Sequence, residues 1–281
     1  MRRPFDLEWL EGQAEAYFRR LRPGVEELPW GSLDPRDYPD ELVDRARVSW
    51  TEGAYNEYCS AAAFSALLGA LLEAAAPVDL VGMAGEFVAD EMLHTELNAR
   101  VAMELGGGAP YLVDFEALAP RPDADLSPLQ RAAELAVRVS CVGEAFSLPM
   151  LVGSMRAAAH PLTRAVLQRI ARDEVPHARV GWLFLDWAST RLDDAERARL
   201  AAVALDALRD QEPYWKQVRS RVSDGVTSEG FQLLHVRQLG WMEAGEYAAE
   251  ARRAVREEIV APLARAGIEI PAAEVATLLG C

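Results

Sequence analysis

Two copies of one acidic–histidine motif, D-E-x-x-H, constrain the fold of this chain more than any other sequence feature. The first occupies residues 90–94 (DEMLH) and the second residues 173–177 (DEVPH). Only four histidines occur in the 281 residues, and two of them lie in these motifs. Residues three apart on a helix share one face. On helices, the motifs would therefore form two side-by-side pairs, Glu91 with His94 and Glu174 with His177.

The sequence around the motifs is typical of helix nearly throughout. It is rich in Ala, Leu, Glu and Arg and has few alternating β-branched runs, which favours helix. Ser127-Pro128 followed by Gln130 forms a capping box, and Asp193 with Glu196 forms another N-terminal cap. The predicted helices span residues 6–21, 41–76, 78–105, 127–159, 161–191, 194–221 and, as one or two helices, 228–266, with a short last one after Pro271.

These segments predict an all-α protein with one domain over residues 1–281. Residues 1–40 form an N-terminal arm, of which 22–39, with four prolines, is irregular. Residues 41–191 form a four-helix core, and residues 192–281 add C-terminal helices. The two motifs fall in the second and fourth helices of that core, so they can meet inside it.

A carboxylate beside an imidazole suits iron, manganese or zinc. One E-x-x-H pair by itself indicates little, because a lone histidine is commonly a core or surface residue and two such pairs can also be buried ion pairs. A two-metal site in a helical bundle uses a further glutamate from each of two other helices. The first and third helices of the core must therefore supply one each.

In the third helix the candidates are Glu134 and Glu144. Glu134 has arginines at i−3 and i+4, so it is a surface ion-pair residue. Glu144 has Cys141 at i−3 and Leu148 at i+4, which places a carboxylate in an apolar stripe. Burial of an unpaired carboxylate costs several kcal/mol, and metal ligation would offset that cost. Glu144 is the predicted ligand.

In the first helix the candidates are Glu52, Glu57 and Glu73. Glu73 lies too close to the turn. An antiparallel hairpin that closes near residue 77 brings positions 57–62 level with Glu91, and the face of Glu57 is apolar. Glu57 is therefore the predicted ligand, with Glu52 as the alternative.

With these choices the order E, ExxH, E, ExxH resembles the ferritin-like di-iron carboxylate superfamily over residues 41–191. The D-E-x-x-H form is most similar to ribonucleotide reductase small subunits and bacterial di-iron monooxygenases. The resemblance implies a ferritin-like four-helix bundle. It implies six residues as both metal ligands and catalytic residues: Glu57, Glu91, His94, Glu144, Glu174 and His177.

The resemblance also assigns a role to the aspartate that precedes each ligand glutamate. In the family that residue accepts a hydrogen bond from a ligand histidine, so Asp90 and Asp173 would orient the imidazoles from outside the metal sphere. Two departures limit the comparison. Leu148 stands where the oxygenases often carry Thr as a proton relay, and Ile170 stands where arylamine N-oxygenases carry a third histidine.

Pro176 lies inside the second motif. Proline removes one backbone donor and crowds the carbonyl four residues earlier, that of Arg172. The sequence therefore predicts a kink or a π-bulge at residues 172–176, and such distortions are frequent at functional sites.

The acidic balance argues against several partners. The formal net charge is −15, which disfavours binding to nucleic acid and to anionic membranes. The N-terminus begins with charge and lacks an apolar signal segment, and the cysteines Cys59, Cys141 and Cys281 form no CxxC pair. We expect a cytoplasmic protein whose cysteines are small buried hydrophobes.

The resemblance implies an O2-dependent di-iron oxidase or oxygenase of the monooxygenase type. It would hold two Fe ions (Fe2+/Fe3+), or Mn and Fe, and oxidise a small organic substrate in an apolar pocket, with O2 as co-substrate. An electron-donor reductase or ferredoxin and a homodimer are further expectations. The alternatives are a ferroxidase or iron-storage protein and a non-enzymatic helical interaction protein.

Overall fold

The computed structural model describes residues 2–216, 222–223 and 225–280. Helices dominate it, which confirms the predicted all-α class. A π-helical segment, Ala136–Glu144, continues directly from one helix into the next within the third core stretch. The helices up to residue 190 are α1 Gly12–Leu21, α2 Asp40–Glu73, α3 Val78–Glu104, α4 Pro128–Leu135, α5 Ala145–Ala157 and α6 Pro161–Ala188.

The four long helical stretches form a bundle of two hairpins. α2 packs on α3, and the stretch from α4 to α5 packs on α6. Across the hairpins, α3 contacts α6 and α2 contacts α4. The predicted capping box is present: Ser127 Oγ accepts from the Gln130 amide, and the Gln130 side chain accepts from the Ser127 amide. The arrangement brings both motifs to the interface between α3 and α6.

The N-terminal segment differs from its prediction. The helix predicted over residues 6–21 begins at Gly12, and β1 (Arg3–Pro4) pairs instead with β2 (Leu112–Val113) in antiparallel register. The Phe5 ring packs edge-on against Tyr55 at 5.3 Å between centroids, and its amide donates to the Tyr111 carbonyl. The aromatic contacts of Phe5 thus hold the first residues extended. The irregular arm over 22–39 is confirmed apart from a 3-10 turn, Pro35–Asp37.

The C-terminal region is more broken than predicted. Asp193 caps α7 through the Glu196 amide, as predicted, but the helix ends at Gln211 rather than 221, and residues 217–221 lie outside the described residues, as does Cys281. The helix predicted from residue 228 begins at Leu233. The remaining elements are α7 Asp194–Gln211, α8 Pro213–Lys216, β3 Val222–Ser223, β4 Val226–Thr227, α9 Leu233–Gln238, α10 Ala244–Ala254, a π segment Val255–Val260, α11 Ala261–Arg265 and α12 Ala272–Leu279.

The C-terminal helices pack onto the bundle. Leu208 of α7 and Leu263 of α11 lie in the same buried apolar cluster as Phe64 of α2 and Phe184 of α6. The indole of Trp215 donates to the Leu278 carbonyl at 3.0 Å and so ties α8 to α12. The C-terminal helices therefore extend the core that surrounds the motifs.

Of the kink or π-bulge predicted at residues 172–176, the π-bulge is wrong, because α6 is continuous α-helix through Pro176; the kink stays a prediction. The π geometry lies instead at 136–144, directly opposite. There the Ser140 hydroxyl donates to the His177 carbonyl at 2.6 Å and accepts from the Gly181 amide at 2.9 Å. His177 and Gly181 are i and i+4 in α6, so Ser140 bridges a backbone pair that a helix otherwise joins directly.

Among the described residues, one helical stretch, Pro128–Ala157, has the length and apolar content to cross a membrane. Most of its apolar window is buried inside the protein. Val137 and Val142, for example, are fully buried against the neighbouring helices. The stretch therefore has the position of a core helix of the bundle.

Candidate metal centre

The two D-E-x-x-H motifs meet in the middle of the bundle. Glu91 and His94 point inward from α3, and Glu174 and His177 point inward from α6. None of the four side chains is more than 1% exposed. Four ionisable groups without access to water require strong mutual compensation or a bound cation.

Each of the two carboxylates reaches both imidazoles. Glu91 places Oε2 3.5 Å from His94 Nδ1 and Oε1 2.9 Å from His177 Nδ1. Glu174 places Oε1 2.9 Å from His94 Nδ1 and Oε2 2.9 Å from His177 Nδ1. One oxygen of each carboxylate therefore faces each ring, so Glu91 and Glu174 could each supply a ligand atom beside either imidazole.

The facing atoms are close, but most of them lack hydrogen bonds. Both oxygens of Glu91, Oε2 of Glu174 and Nδ1 of both histidines are buried with no hydrogen-bond partner among the described residues. Buried polar atoms are nearly always satisfied in folded proteins. An unpartnered set of hard oxygen and imidazole nitrogen donors fits a metal centre, since these are the ligands that iron and manganese take.

Glu57 belongs to the centre around His94. Glu57, Glu91, His94 and Glu174 each offer one ligand atom, and these atoms all lie within 4.8 Å of one another. Burial, followed by the charge of Glu91, raises the pKa of Glu57 well above its usual value. The alternative, Glu52, is exposed and lies outside this group.

Glu144 lies at the other side, at the end of the π segment. Its side chain is 6% exposed. Burial raises the pKa of Glu144, the charges of Glu174 and Glu91 raise it further, and the His177 imidazole opposes the rise. It is outside the group that surrounds His94, so its interactions connect it to the His177 side. The structure thus brings all six predicted residues to one place, while their role as ligands stays a prediction.

The charges inside the centre are strongly coupled. Burial would lower the pKa of His177, but the nearby carboxylates of Asp90, Glu174 and Glu91 raise it to about 12. The pKa of His94 is raised well above its usual value by the same competition. The pKa of Glu174 is held well below its usual range because both imidazoles outweigh its burial. Without a cation, the site therefore retains protons on its imidazoles.

The outer aspartates are arranged crosswise. Asp90, from the first motif, lies 3.5 Å from Nε2 of His177 in the second. Asp173, from the second motif, lies 3.8 Å from Nε2 of His94 in the first. In each ring Nδ1 faces the inner carboxylates and Nε2 faces an outer one. At these distances neither Nε2 atom has a hydrogen-bond partner among the described residues. A carboxylate that closes to hydrogen-bond distance there would fix the tautomer and orientation of a ligand imidazole.

Arginines hold these aspartates in place, and sequence reasoning missed them. Arg22, from the N-terminal arm, pairs with Asp90 at 2.8 Å and is 9% exposed as a residue. Arg169 pairs with Asp173 at 2.6 Å, and Arg172 pairs with it at 3.0 Å. The pair of Arg169 with Asp173 could have been predicted from the sequence, because the two residues are four apart on one helix. The pair of Arg22 with Asp90 could not, because 68 residues separate them.

Asn98 is a second residue that sequence reasoning missed. Its amide donates to the His94 carbonyl at 2.9 Å and approaches Oε1 of Glu57 at 3.5 Å. Gly53 makes room for it, because a Cβ there would lie 2.5 Å from the Asn98 Oδ1. Asn98, in the space that Gly53 leaves, therefore connects Glu57 of α2 to the motif of α3.

Aromatic rings enclose the His177 side. The Phe87 ring lies 4.2 Å from the His177 ring between centroids, and the Phe64 ring lies 5.1 Å from it. Phe64 and Phe87 also pack edge-on against each other at 5.3 Å. These contacts exclude water from one flank of the centre.

A cavity of about 530 Å³ lies beside the centre. Glu57 and Glu144, one from each side of the centre, both line it. The C-terminal helices help to form it, through Tyr214 and Tyr247 among others. The predicted pocket is therefore present beside the centre, and its wall combines a larger apolar part with several polar groups. Cys59 lines it as well, whereas Cys141 is fully buried as predicted.

The two departures from the oxygenase pattern have clear positions. Ser147, one residue before Leu148, lines the cavity and is the hydroxyl nearest in sequence to the expected threonine position. Ile170 is fully buried in the apolar cluster beside the centre. It leaves no third imidazole on α6.

Comparison of the chain with protein-family models, curated proteins and solved structures gives no significant match. Membership of the ferritin-like superfamily therefore stays a prediction. It rests on the motif order and on the geometry of the six side chains.

Proposed function

We propose that this protein is a non-haem di-iron oxidoreductase that uses O2 to oxidise a small organic substrate. The observation that carries the proposal is the pairing of two carboxylates with two imidazoles, one oxygen of each carboxylate toward each ring. Two ions bound there would share Glu91 and Glu174. His94 with Glu57 would complete one ligand set, and His177 with Glu144 the other.

The donor set favours iron, with a manganese–iron pair as the variant. Carboxylate and imidazole donors suit Fe and Mn, and no thiolate lies among them. Four glutamates carry charges that two divalent ions would balance. When bound, the metals supply the redox chemistry with O2, and the protein supplies position and exclusion of water.

Residues around the centre would orient the imidazoles, exclude water and face the substrate. Asp90 and Asp173 would keep Nδ1 of each ring unprotonated toward the inner carboxylates. Phe64 and Phe87 would keep bulk water away on one flank. Glu57 and Glu144 stand between the centre and the cavity, where substrate would approach. External electrons for such chemistry would come from a reductase or ferredoxin, and a homodimer is compatible with the proposal.

The cavity supports an organic substrate over iron storage. A volume of about 530 Å³ is within the range of small-molecule sites, whereas an iron oxidiser needs only a passage for ions. A ferroxidase would assemble into a cage and mineralise iron. Sizing of the native protein under iron loading separates the two, because a monomer or dimer without mineral contradicts the storage function.

Metal quantification with anaerobic Fe(II) reconstitution tests the proposal directly. We expect two Fe per chain and an optical change when O2 is admitted. Glu144→Ala should lower the metal content and slow the O2 reaction. Glu134→Ala is the matched control on the same helical stretch, since Glu134 pairs with Arg199 away from the centre. A wild-type protein that takes up less than a trace of Fe, Mn or Zn would overturn the proposal.

A further inference from the structure

The cavity beside the centre has an unusual charge pattern. Among the described residues its lining includes no arginine, lysine or histidine. Three glutamates line it: Glu52, Glu57 and Glu144. A cavity with only acidic groups disfavours anionic ligands, because an anion would lose its hydration without gaining a counter-charge.

Metal binding would change the charge of two of these groups but not of the third. Glu57 and Glu144 belong to the set of four glutamates that two divalent ions would neutralise. Glu52 is exposed, lies outside that set and makes no ion pair among the described residues. In the metal-loaded protein, Glu52 would therefore be the uncompensated charge of the cavity.

The position of Glu52 on α2 fits an anchoring role. It lies five residues before Glu57, which corresponds to about 7.5 Å of helix rise. Asn56, one turn after Glu52, also lines the cavity and interacts through its side chain with the Tyr214 phenol. A group held at Glu52 is thus kept about one and a half turns away from the centre, and the rest of the molecule can extend toward Glu57.

Aromatic side chains complete the wall. Trp50 and Trp241 line the cavity, and their indole N–H groups are already engaged by the Leu239 carbonyl and the Ser49 hydroxyl at 3.1 Å each. Tyr247 lines it from α10. Aromatic walls with an acidic group favour organic cations through both cation–π and ionic contacts.

From this arrangement we propose that the cavity selects small organic ammonium compounds, with Glu52 as the counter-ion of the ammonium group. This rests on the proposed function, since it identifies the substrate class of the same site. The substrate is an amine of moderate size whose apolar or aromatic part reaches from Glu52 to the metal-facing glutamates. A carboxylate of the same shape is a poor ligand.

A binding series with three probes of one shape tests the proposal. The probes are 3-phenylpropylamine, 3-phenylpropan-1-ol and 3-phenylpropanoate, and binding to Zn-loaded protein is measured by calorimetry without turnover. We expect the ammonium probe to bind about tenfold more tightly than the alcohol. The carboxylate is compared on the metal-free protein, where no Zn2+ can take it as a ligand, and it should bind most weakly there. Equal affinities, a preference for the carboxylate or no binding of the ammonium probe would overturn the proposal.

Variants of Glu52 assign the preference to that residue. Glu52→Gln should reduce the preference for the ammonium probe to within about twofold, and Glu52→Lys should reverse it in favour of the carboxylate. Glu269→Gln is the matched control, because it removes the same charge from an exposed position outside the cavity. A Glu52→Gln protein with the wild-type preference would contradict the assignment.

Metal content measured on the same samples separates the two proposals. If the protein binds no metal, the proposed function fails whatever the probes do. If two metals bind and the ammonium probe has no advantage, the metal centre stands and the substrate class is wrong.

Discussion

The α2–α3 hairpin and the hairpin of α4–α5 with α6 each contribute one lone glutamate and one E-x-x-H pair, yet their backbones differ. The first is regular α-helix in both members, and the Asn98 side chain, which packs over Gly53, connects Glu57 of α2 to His94 of α3. The second has a π segment, two internal prolines (Pro149 in α5 and Pro176 in α6) and the Ser140 bridge to α6. Two hairpins with the same pattern of glutamate and histidine residues thus differ in backbone geometry.

The largest expected effect is a pH dependence of metal binding that is the same for both hairpins. His177, with a pKa of about 12, and His94, with its pKa also raised, hold protons in the metal-free protein at neutral pH. Each proton displaced by a metal changes the apparent affinity tenfold per pH unit. We therefore expect Zn2+ binding to weaken by about 100-fold or more per ion from pH 8 to pH 6, measured by competition with a chelating dye.

The stability of the metal-free protein should follow the same groups with the opposite trend. A raised histidine pKa stabilises the folded state fully below the unfolded value near 6.5, and the contribution is lost as pH rises through the folded pKa. The free energy of unfolding of the metal-free protein should fall between pH 7 and pH 10, while that of the Zn-loaded protein should not. If the Zn2+ affinity did not change from pH 6 to pH 8, or changed for only one of the two ions, the two hairpins would not be equivalent in metal binding.

A smaller effect separates the outer aspartates. Asp90→Asn and Asp173→Asn should each weaken metal binding by about 10- to 100-fold, the usual range for such partners. Because Asp90 acts on His177 and Asp173 on His94, each variant should impair the centre in the opposite motif. Nuclear magnetic resonance of 15N-histidine-labelled, Zn-loaded variants distinguishes the His94 imidazole from that of His177 and so reports which centre is lost. Loss of the centre in the same motif would contradict the crosswise arrangement.

Two glycine-to-alanine variants test how closely the helices of each hairpin pack at a glycine. At Gly181 a Cβ would lie 2.6 Å from Cys141 Sγ and 2.8 Å from the Ala136 carbonyl, so Gly181→Ala should destabilise the protein by about 1–3 kcal/mol. At Gly53 the Cβ meets only the movable end of Asn98, so Gly53→Ala should cost less than about 1 kcal/mol but weaken metal binding near Glu57. Urea unfolding and metal titration measure both, and equal stability losses would remove the contrast.

The smallest expected effect concerns the hydroxyl that bridges α6. Ser140→Ala should lower the free energy of unfolding by about 1 kcal/mol, the ordinary value of a hydrogen bond. Ser65→Ala is the matched control, since Ser65 bonds only to the Ala61 carbonyl of its own helix and should change stability by less than about 0.5 kcal/mol. Urea unfolding of the two metal-free variants measures the difference, and a Ser140→Ala loss no larger than the control would make the bridge energetically unimportant.

The sequence was sufficient for the all-α class and for the six residues that meet, because helical periodicity and the three-residue spacing within each motif are local properties. It was sufficient for the caps at Ser127 and Asp193 for the same reason. The π segment was missed because the close contacts made there, those of Ser140 and Cys141 with α6 at Gly181, join residues about 40 positions apart. Arg22 and Asn98 were missed likewise, since their contacts arise only when separate helices pack.

The crosswise aspartates mean that the centre is complete only when the two hairpins pack together. Each imidazole is supported by a carboxylate of the other hairpin, and each inner glutamate reaches rings on both, so neither hairpin alone contains a complete binding site. Metal affinity is then thermodynamically linked to the docking of the two halves. A site with free metal at 100 times its dissociation constant adds about 2.7 kcal/mol to the docked state. Bound ions would thus stabilise the packing of the two hairpins against each other.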